Sequence, residues 1–216
     1  MTPDGRLTTG RLAGLSMGKA IWVLSWPVLI ESYLNSFVGL VDTTLAARIS
    51  PEATDAIGAA AYFLWFIGLI GMALGVGATA LIARSVGKGR LAVANAAVGQ
   101  TVILAIALGM MVGTGLFVLS PSLAHLLHLE GEAAAAFSGY LRIVSAGVPL
   151  SALLFSGISC LRGAGDAMRP LWAMVVVNIV NMFLSWGLSG APIAGVVAPG
   201  SPQFGLEGVA FGTVIA

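Results

Sequence analysis

The chain has 216 residues, of which 58% are hydrophobic and only 9% are charged, and its formal net charge is +1. A soluble domain carries roughly 25% charged residues, so this chain has too few charges to cover a water-facing surface, and lipid must be its main solvent. The small net charge excludes a basic surface for nucleic acid, and the single cysteine, Cys160, excludes an internal disulfide and a cysteine-based metal site.

Residues 1–19 form a polar segment that contains Arg6, Arg11 and Lys19. The apolar run that follows is too long for the hydrophobic part of a signal peptide and has no small-residue cleavage pattern behind it. We therefore predict that residues 1–19 remain on the protein as a cytoplasmic N-terminal segment and that residues 20–216 form one membrane-embedded lobe.

Apolar runs long enough to cross a bilayer dominate the rest of the chain. A spanning helix needs about 20 mostly apolar residues, and the sequence contains five such runs and the beginning of a sixth, at 20–47, 56–83, 91–119, 134–161, 170–188 and from 206 onward. This pattern predicts an all-α, polytopic membrane helix bundle with five complete transmembrane helices. About eleven residues of the sixth run are present, enough for only ~16 Å of helix, so we expect the lobe to be incomplete there.

The connectors between these runs are short, with one exception. Proline, glycine or charged residues at 50–52, 87–90, 120–122 and 162–166 predict turns or new helices. Residues 189–205 form a longer uncharged loop, rich in glycine, proline and alanine, which we expect to pack at the membrane surface.

The distribution of lysine and arginine predicts the orientation of the bundle. Eight of the ten cationic side chains fall on one side of the predicted topology, and the positive-inside rule places that side in the cytoplasm. They are Arg6, Arg11, Lys19, Arg84, Lys88, Arg90, Arg162 and Arg169. We therefore expect an integral protein of the plasma membrane with its N-terminus in the cytoplasm.

Three polar residues interrupt the first apolar run. Glu31, Asn35 and Asp42 lie on one stripe of a helix, within about 40° of each other, and Pro27 can kink that helix one turn earlier. A carboxylate at membrane depth costs at least ~2.5–3.5 kcal/mol and usually marks an ion or proton pathway. Both carboxylates are therefore candidates for function, and the alternative is that either one lies near an interface or caps a neighbouring helix.

The fifth run carries a second polar face, formed by Asn178, Asn181 and Ser185. One interpretation is a polar cavity wall that faces the first helix. The other is hydrogen bonding between helices with no role in transport, because asparagine is costly in lipid unless it is paired.

Glycines within the apolar runs indicate close contacts between helices. Residues 75–80 match a loose dinucleotide-binding pattern, but no strand precedes them and they lie within a predicted span. We interpret Gly71 and Gly75, and likewise Gly109 and Gly113, as positions of close helix packing.

No arrangement of residues predicts an enzyme or a metal site. His125, His128, Glu130 and Glu132 are close in sequence, but they fall in an outer connector, and we predict no metal there. Arg142 is partly within the fourth run, and its side chain is expected to extend to the outer surface.

Five stretches of the chain, taken in order and with their spacing, resemble the multidrug and toxic compound extrusion (MATE) family. They are residues 27–43, 75–87, 161–166 with 169–170, 178–181 and 205–213. The resemblance implies half of a twelve-helix transporter whose two six-helix lobes enclose a cavity and rock between inward-open and outward-open states. It also implies exchange of sodium ions or protons for organic, often cationic compounds. The partners would be these compounds, the bilayer and a second six-helix lobe, with no cofactor apart from the coupling ion.

The resemblance assigns roles to residues of the first helix. Asp42 falls at the position of the family's functional first-helix aspartate, which binds the coupling ion in members that use this lobe. Pro27 falls at the bending proline, and Asn35 at a position of polar cavity residues.

The same resemblance places Asn181 and Thr213 near the coupling-ion site, but it also shows a departure. Members with the archaeal-type site carry an aspartate where this chain has Ser185, so the second carboxylate is missing. Coupling through Asp42 alone, through Asp42 with Glu31, or through the second lobe all remain open, as does the choice between sodium ion and proton.

Three other functions compete with export. A related flippase for lipid-linked oligosaccharides would need a basic cavity, for which Arg142 is the only candidate. In a membrane scaffold without transport, Asp42 and Asn181 would be merely structural. A dimer of complete 216-residue chains would require the sixth helix to end within the membrane.

Overall fold

The computed structural model describes residues 13–192 and 196–216, so Arg6 and Arg11 lie outside the described residues. The described chain is helical, with α1 Met17–Ile49, α2 Pro51–Gly87, α3 Leu91–Leu126, α4 Gly131–Gly163, α5 Met168–Ser189 and α6 Leu206–Ile215. Each predicted apolar run lies within one of these helices, and the first five helices are long and apolar enough to cross a membrane. The all-α membrane bundle is therefore confirmed.

The first four helices are longer than the predicted runs. They contain 33 to 37 residues, which corresponds to roughly 50 Å or more at the rise of an α-helix. The hydrocarbon core is only about 30 Å thick. Hydropathy marks only the part of a helix inside this layer, and the helices continue beyond it at one or both ends.

The corner between α1 and α2 consists of Ser50 alone. Its hydroxyl accepts a hydrogen bond from the backbone N–H of Ala53 at 3.0 Å, which caps α2. Pro51 occupies the first position of α2, where its missing N–H has no intrahelical partner to lose. The predicted helix start at 50–52 is confirmed.

The predicted connector at 120–122 is wrong, because α3 continues through Pro121 to Leu126. A proline in a helix leaves the carbonyl four residues earlier without its usual donor. Here that carbonyl belongs to Phe117, and the Ser120 hydroxyl donates to it at 3.1 Å. The serine side chain supplies the hydrogen bond that the proline removes, and the helix is not interrupted.

An aspartate at the end of the glycine-rich connector between α4 and α5 caps the start of α5. Gly165 has φ +83°, a conformation that other residues rarely adopt. Asp166 Oδ1 then accepts hydrogen bonds from the backbone N–H groups of Met168 and Arg169, both at 3.2 Å. The negative side chain at the start of α5 also suits the positive end of the helix dipole.

Helix α4 is the centre of the bundle and packs against α2, α3 and α6. Its contact with α3 is close because of two glycines. A Cβ atom at Gly109 would lie 2.7 Å from Pro149 Cα, and one at Gly113 would lie 2.6 Å from the Ser145 carbonyl oxygen. The prediction of close packing at these two positions is confirmed.

The other predicted glycine pair behaves differently at its two positions. A Cβ atom at Gly75 would lie 2.5 Å from the Ser159 hydroxyl of α4, so this glycine is a close-packing position. The prediction is wrong for Gly71, where a Cβ atom would meet nothing within 4 Å. One turn away from the contact, the space between α2 and α4 widens into a cavity that Gly71 lines.

Glycines also seat α6 directly on α5. A Cβ atom at Gly208 would overlap the Leu188 carbonyl, and one at Gly212 would lie 2.5 Å from the Ser185 backbone nitrogen. Backbone hydrogen bonds from Phe204 to Leu188 at 3.0 Å and from Gly205 to Ser189 at 3.1 Å hold the start of α6 against the end of α5. Residues 193–195 of the preceding loop lie outside the described residues, and packing of that loop at the membrane surface stays a prediction.

Candidate functional site

A cavity of about 880 Å³ lies between α1, α2 and α4, with contributions from α3, α5 and α6. Its wall is mainly aliphatic, and the volume is in the range of small-molecule sites. The polar residues that line it are Glu31, Ser32, Asn35, Thr79, Ser151, Ser156, Ser159, Arg162 and Thr213. Among the described lining residues, Glu31 and Arg162 are the only charged ones.

Glu31 projects from α1 and forms an ion pair with Arg162 in the last turn of α4, through Oε2 and Nη2. Glu31 is only 3% exposed, while the Arg162 side chain is 29% exposed. The second carboxylate oxygen, Oε1, is buried and has no hydrogen-bond partner among the described residues, and the same is true of Arg162 Nε. The pair therefore neutralises the charge of Glu31 but leaves polar atoms unsatisfied.

One turn further along α1, Asn35 meets α5. The Asn178 side chain donates from Nδ2 to Asn35 Oδ1 at 3.2 Å. The polar face of α5 thus contacts the polar stripe of α1 through a hydrogen bond between helices. Asn35 lines the cavity, whereas Asn178 lies behind it.

Asp42 lies seven residues before the end of α1 and is 8% exposed. Ser185 of α5 and buried Tyr140 of α4 are its neighbours in the described structure. Asp42 Oδ1 has no partner within the ranges that the structure describes. All of these neighbours are formally neutral, so no cationic side chain of the described residues balances this carboxylate as Arg162 balances Glu31.

Asn181 of α5 and Thr213 of α6 lie near Ser185. Asn181 is one turn before Ser185 on the same face of α5, and its Oδ1 is buried and unpartnered in the described structure. The Thr213 hydroxyl donates to the Val209 carbonyl at 3.1 Å, and the Ser185 hydroxyl lies 3.4 Å from that same oxygen. We call Asp42, Asn181, Ser185 and Thr213 the aspartate cluster.

The aspartate cluster and the cavity are neighbours rather than one site. Of its members, only Thr213 is among the described residues that line the cavity. Glu31 and Asp42 are eleven residues apart, which separates them by ~16 Å along α1. The structure thus places Asp42 beside Ser185, with Asn181 one turn earlier on the same face of α5, and leaves Glu31 apart from them.

Pro27 is buried within α1, which is assigned as one helix from Met17 to Ile49. The proline removes one backbone hydrogen bond one turn before Glu31. That missing bond makes this turn the weakest point of the helix against bending.

The arginine that lines the cavity is Arg162 and not Arg142. Arg142, the only candidate cavity cation for the alternative flippase function, does not line the cavity. Its Nε donates to the Ser120 hydroxyl at 3.1 Å, and its guanidinium lies 5.8 Å from the centre of the Phe117 ring. Arg162, interpreted from the sequence only as a cytoplasmic flanking charge, lines the cavity instead. Its position in the last turn of an apolar helix was the available signal, since a long side chain there can extend back along the helix.

Comparison with known proteins agrees with this architecture. The family model described as MatE matches residues 27–186. A probable multidrug resistance protein NorM of Thermotoga maritima is 28% identical over 199 residues, which are 92% of this chain and 41% of that protein. The multidrug resistance protein PmpM of Pseudomonas aeruginosa is 27% identical over 184 residues, or 82% of this chain and 38% of that protein.

Solved structures of transporters have the same fold. A MOP superfamily transporter from Pyrococcus furiosus superimposes with a TM-score of 0.76 at 30% identity, over 91% of this chain and 41% of that one. A MATE protein in the bent conformation gives a TM-score of 0.78 at 29% identity, over 92% of this chain and 42% of that one. The chain therefore spans about two fifths of the length of these relatives, which are described as transporters or drug-resistance proteins and not as enzymes.

Proposed function

The chain belongs to the MatE family, and on this premise we propose that it forms the N-terminal six-helix lobe of a secondary active antiporter. The whole protein would export organic, cationic or lipophilic compounds in exchange for protons or sodium ions. Its second six-helix lobe would complete the central cavity. We place it in the plasma membrane with its N-terminus in the cytoplasm.

The observation that carries the proposal is the pair of unsatisfied oxygens in the aspartate cluster. Asp42 Oδ1 and Asn181 Oδ1 are both buried acceptors without a donor in the described structure. Buried acceptors without a partner are costly, and a proton or a small hard cation would relieve that cost. Sodium prefers such oxygen ligands, as other hard cations do, and a proton would remove the charge of Asp42 directly.

The location of the cluster supports coupling between ion and substrate. In the cluster, Asp42 of α1 lies beside Ser185 of α5, and the Ser185 hydroxyl donates to the Val209 carbonyl of α6. An ion bound there would favour one packing of these three helices over another. A compound in the neighbouring cavity would favour the opposite packing, which is the thermodynamic requirement for exchange.

The lysine and arginine side chains support the proposed orientation. Lys19 near the start of α1, Arg84 and Arg90 around the α2–α3 connector, and Arg169 near the start of α5 lie at one end of the alternating bundle. Cytoplasmic ends carry such an excess.

Efflux of a fluorescent lipophilic cation from energised cells that lack their own pumps tests the proposal. The complete gene is expressed as wild type, as Asp42→Asn, and as Asp55→Asn, which changes an exposed aspartate near the start of α2. At matched membrane abundance, we expect wild type and Asp55→Asn to export the dye and Asp42→Asn to fall to background. Equal export by all three proteins would rule out coupling through Asp42, and no export by any of them would rule out this class of substrate.

A further inference from the structure

The carboxylate that lines the cavity is incompletely satisfied. Glu31 is 3% exposed, and its Oε1 has no donor in the part of the chain that the structure describes. A buried carboxylate oxygen normally accepts at least one hydrogen bond, and leaving it without one is costly. Glu31 lines the cavity, so movement of Arg162 away from it would expose this carboxylate to a donor on a molecule in that cavity.

Arg162 is bound to Glu31 in a way that allows another cation to replace it. The strongest arginine–carboxylate pairs are bidentate, with two parallel hydrogen bonds. Arg162 contacts Glu31 through Nη2 alone, its Nε has no described partner, and 29% of its side chain is exposed. The arginine also sits in the last turn of α4, next to a glycine-rich connector, so its side chain can move toward water at the end of the bundle.

The rest of the cavity wall favours an apolar molecule with one positive group. Aside from Glu31 and Arg162, the described lining residues are uncharged, and most are aliphatic or small. Asp42 does not line the cavity. Within the described lobe, a cationic compound would therefore meet a single carboxylate, and its competitor for that carboxylate would be Arg162 rather than the coupling ion.

We propose that Glu31 recognises the positive charge of the transported compound and that Arg162 is a resident counter-ion which this compound displaces. The compound would carry one positive charge and at least one N–H donor on an apolar body that fits about 880 Å³. One N–H would satisfy Oε1, and the positive charge would replace that of the arginine. This assignment rests on the proposed transport function and names its substrate class.

Binding of a matched pair of ligands to the purified full-length protein tests the assignment. The cation is ethidium, which carries amino groups, and the neutral analogue is the phenanthridine from which it is made. We expect Glu31→Gln to weaken ethidium binding by at least about tenfold and to leave binding of the neutral analogue unchanged. Arg162→Gln should tighten ethidium binding, because it removes the competing cation. The controls are Glu132→Gln and Arg169→Gln, which change exposed charges that do not line the cavity.

Three results would overturn the assignment. They are ethidium binding by Glu31→Gln with wild-type affinity, equal weakening of both ligands by Glu31→Gln, and weaker ethidium binding by Arg162→Gln. If Arg162→Gln does not give a monodisperse protein, Arg162→Lys replaces it. Lysine keeps the positive charge but its side chain is shorter. It should therefore hold Glu31 less well, and the affinity for ethidium should again rise.

Transport by wild-type protein in vesicles separates this assignment from the proposed function. Wild-type protein that binds ethidium through Glu31 without moving it would contradict export and leave the recognition role intact. If Glu31→Gln exports ethidium as efficiently as wild-type protein, the recognition role is contradicted and export is left intact.

Discussion

The two carboxylates of α1 occupy opposite kinds of surroundings. Glu31 faces the cavity and is balanced by the guanidinium of Arg162, a partly exposed side chain at the end of α4. Asp42, ~16 Å further along the same helix, is enclosed by α4, α5 and α6 and has only formally neutral neighbours among the described residues.

This difference indicates which ligand suits each carboxylate. A nearly buried carboxylate with neutral neighbours suits a proton or a small ion, because little of it is accessible and no described side-chain charge competes for it. A carboxylate that lines a roomy cavity and holds a replaceable arginine suits a larger cation. In this way, one helix can bind the coupling ion at one carboxylate and the transported compound at another.

Ser185→Asp should have the largest effect on stability, because it places a second carboxylate beside Asp42 at a fully buried position. An uncompensated buried charge costs about 3–5 kcal/mol, so the thermal stability of the purified protein should fall in choline chloride. Sodium chloride should restore part of it, since a cation between two carboxylates offsets their repulsion. Ser185→Asn, which is similar in size and neutral, should show no such sodium effect. Identical salt responses of the two variants would show that the enclosed cluster does not hold a cation.

A pair of glycine substitutions tests whether the enclosed and open regions differ in packing. A Cβ atom at Gly212 would lie 2.5 Å from the Ser185 backbone, while one at Gly71 would meet open cavity. Gly212→Ala should therefore lower the free energy of unfolding by about 1–3 kcal/mol through overpacking. Gly71→Ala should raise it by up to about 1 kcal/mol, because alanine is the better helix former. Melting curves in detergent measure both, and the same sign of change in the two variants would contradict the contrast.

The smallest effect on stability is expected at the hydrogen bond that lies between the surroundings of Glu31 and those of Asp42. Asn35 and Asn178 lie between the two carboxylates, and they link α1 to α5. A double-mutant cycle with both residues changed to alanine should give an interaction energy of about 0.6 kcal/mol, the average for such bonds in membranes. Asn35→Ala combined with the exposed Asn95→Ala should be additive. A coupling above ~1.7 kcal/mol, the largest seen for such pairs, would show that the two regions act as one unit.

Much of the architecture follows from the sequence, because lipid requires long apolar helices. The five spans, their order and the polar stripe of Glu31, Asn35 and Asp42 are all visible in the spacing of apolar and polar residues. Hydropathy did not identify where the helices end. The proline at 121 also led to a wrongly predicted break. A count of helix-breaking residues does not show that the Ser120 hydroxyl replaces the missing hydrogen bond.

The sequence by itself therefore determined the fold class, the membrane setting, and the polar residues whose burial needs an explanation. Only the tertiary structure decided that Glu31 pairs with Arg162, 131 residues away, that Ser185 is the neighbour of Asp42, and that Arg142 lies outside the cavity. The physical reason is that helical periodicity identifies the face of a helix on which a residue lies, but not the helix opposite. In lipid that choice depends on close contacts at small residues, such as Gly113 and Gly212, and on individual hydrogen bonds between helices.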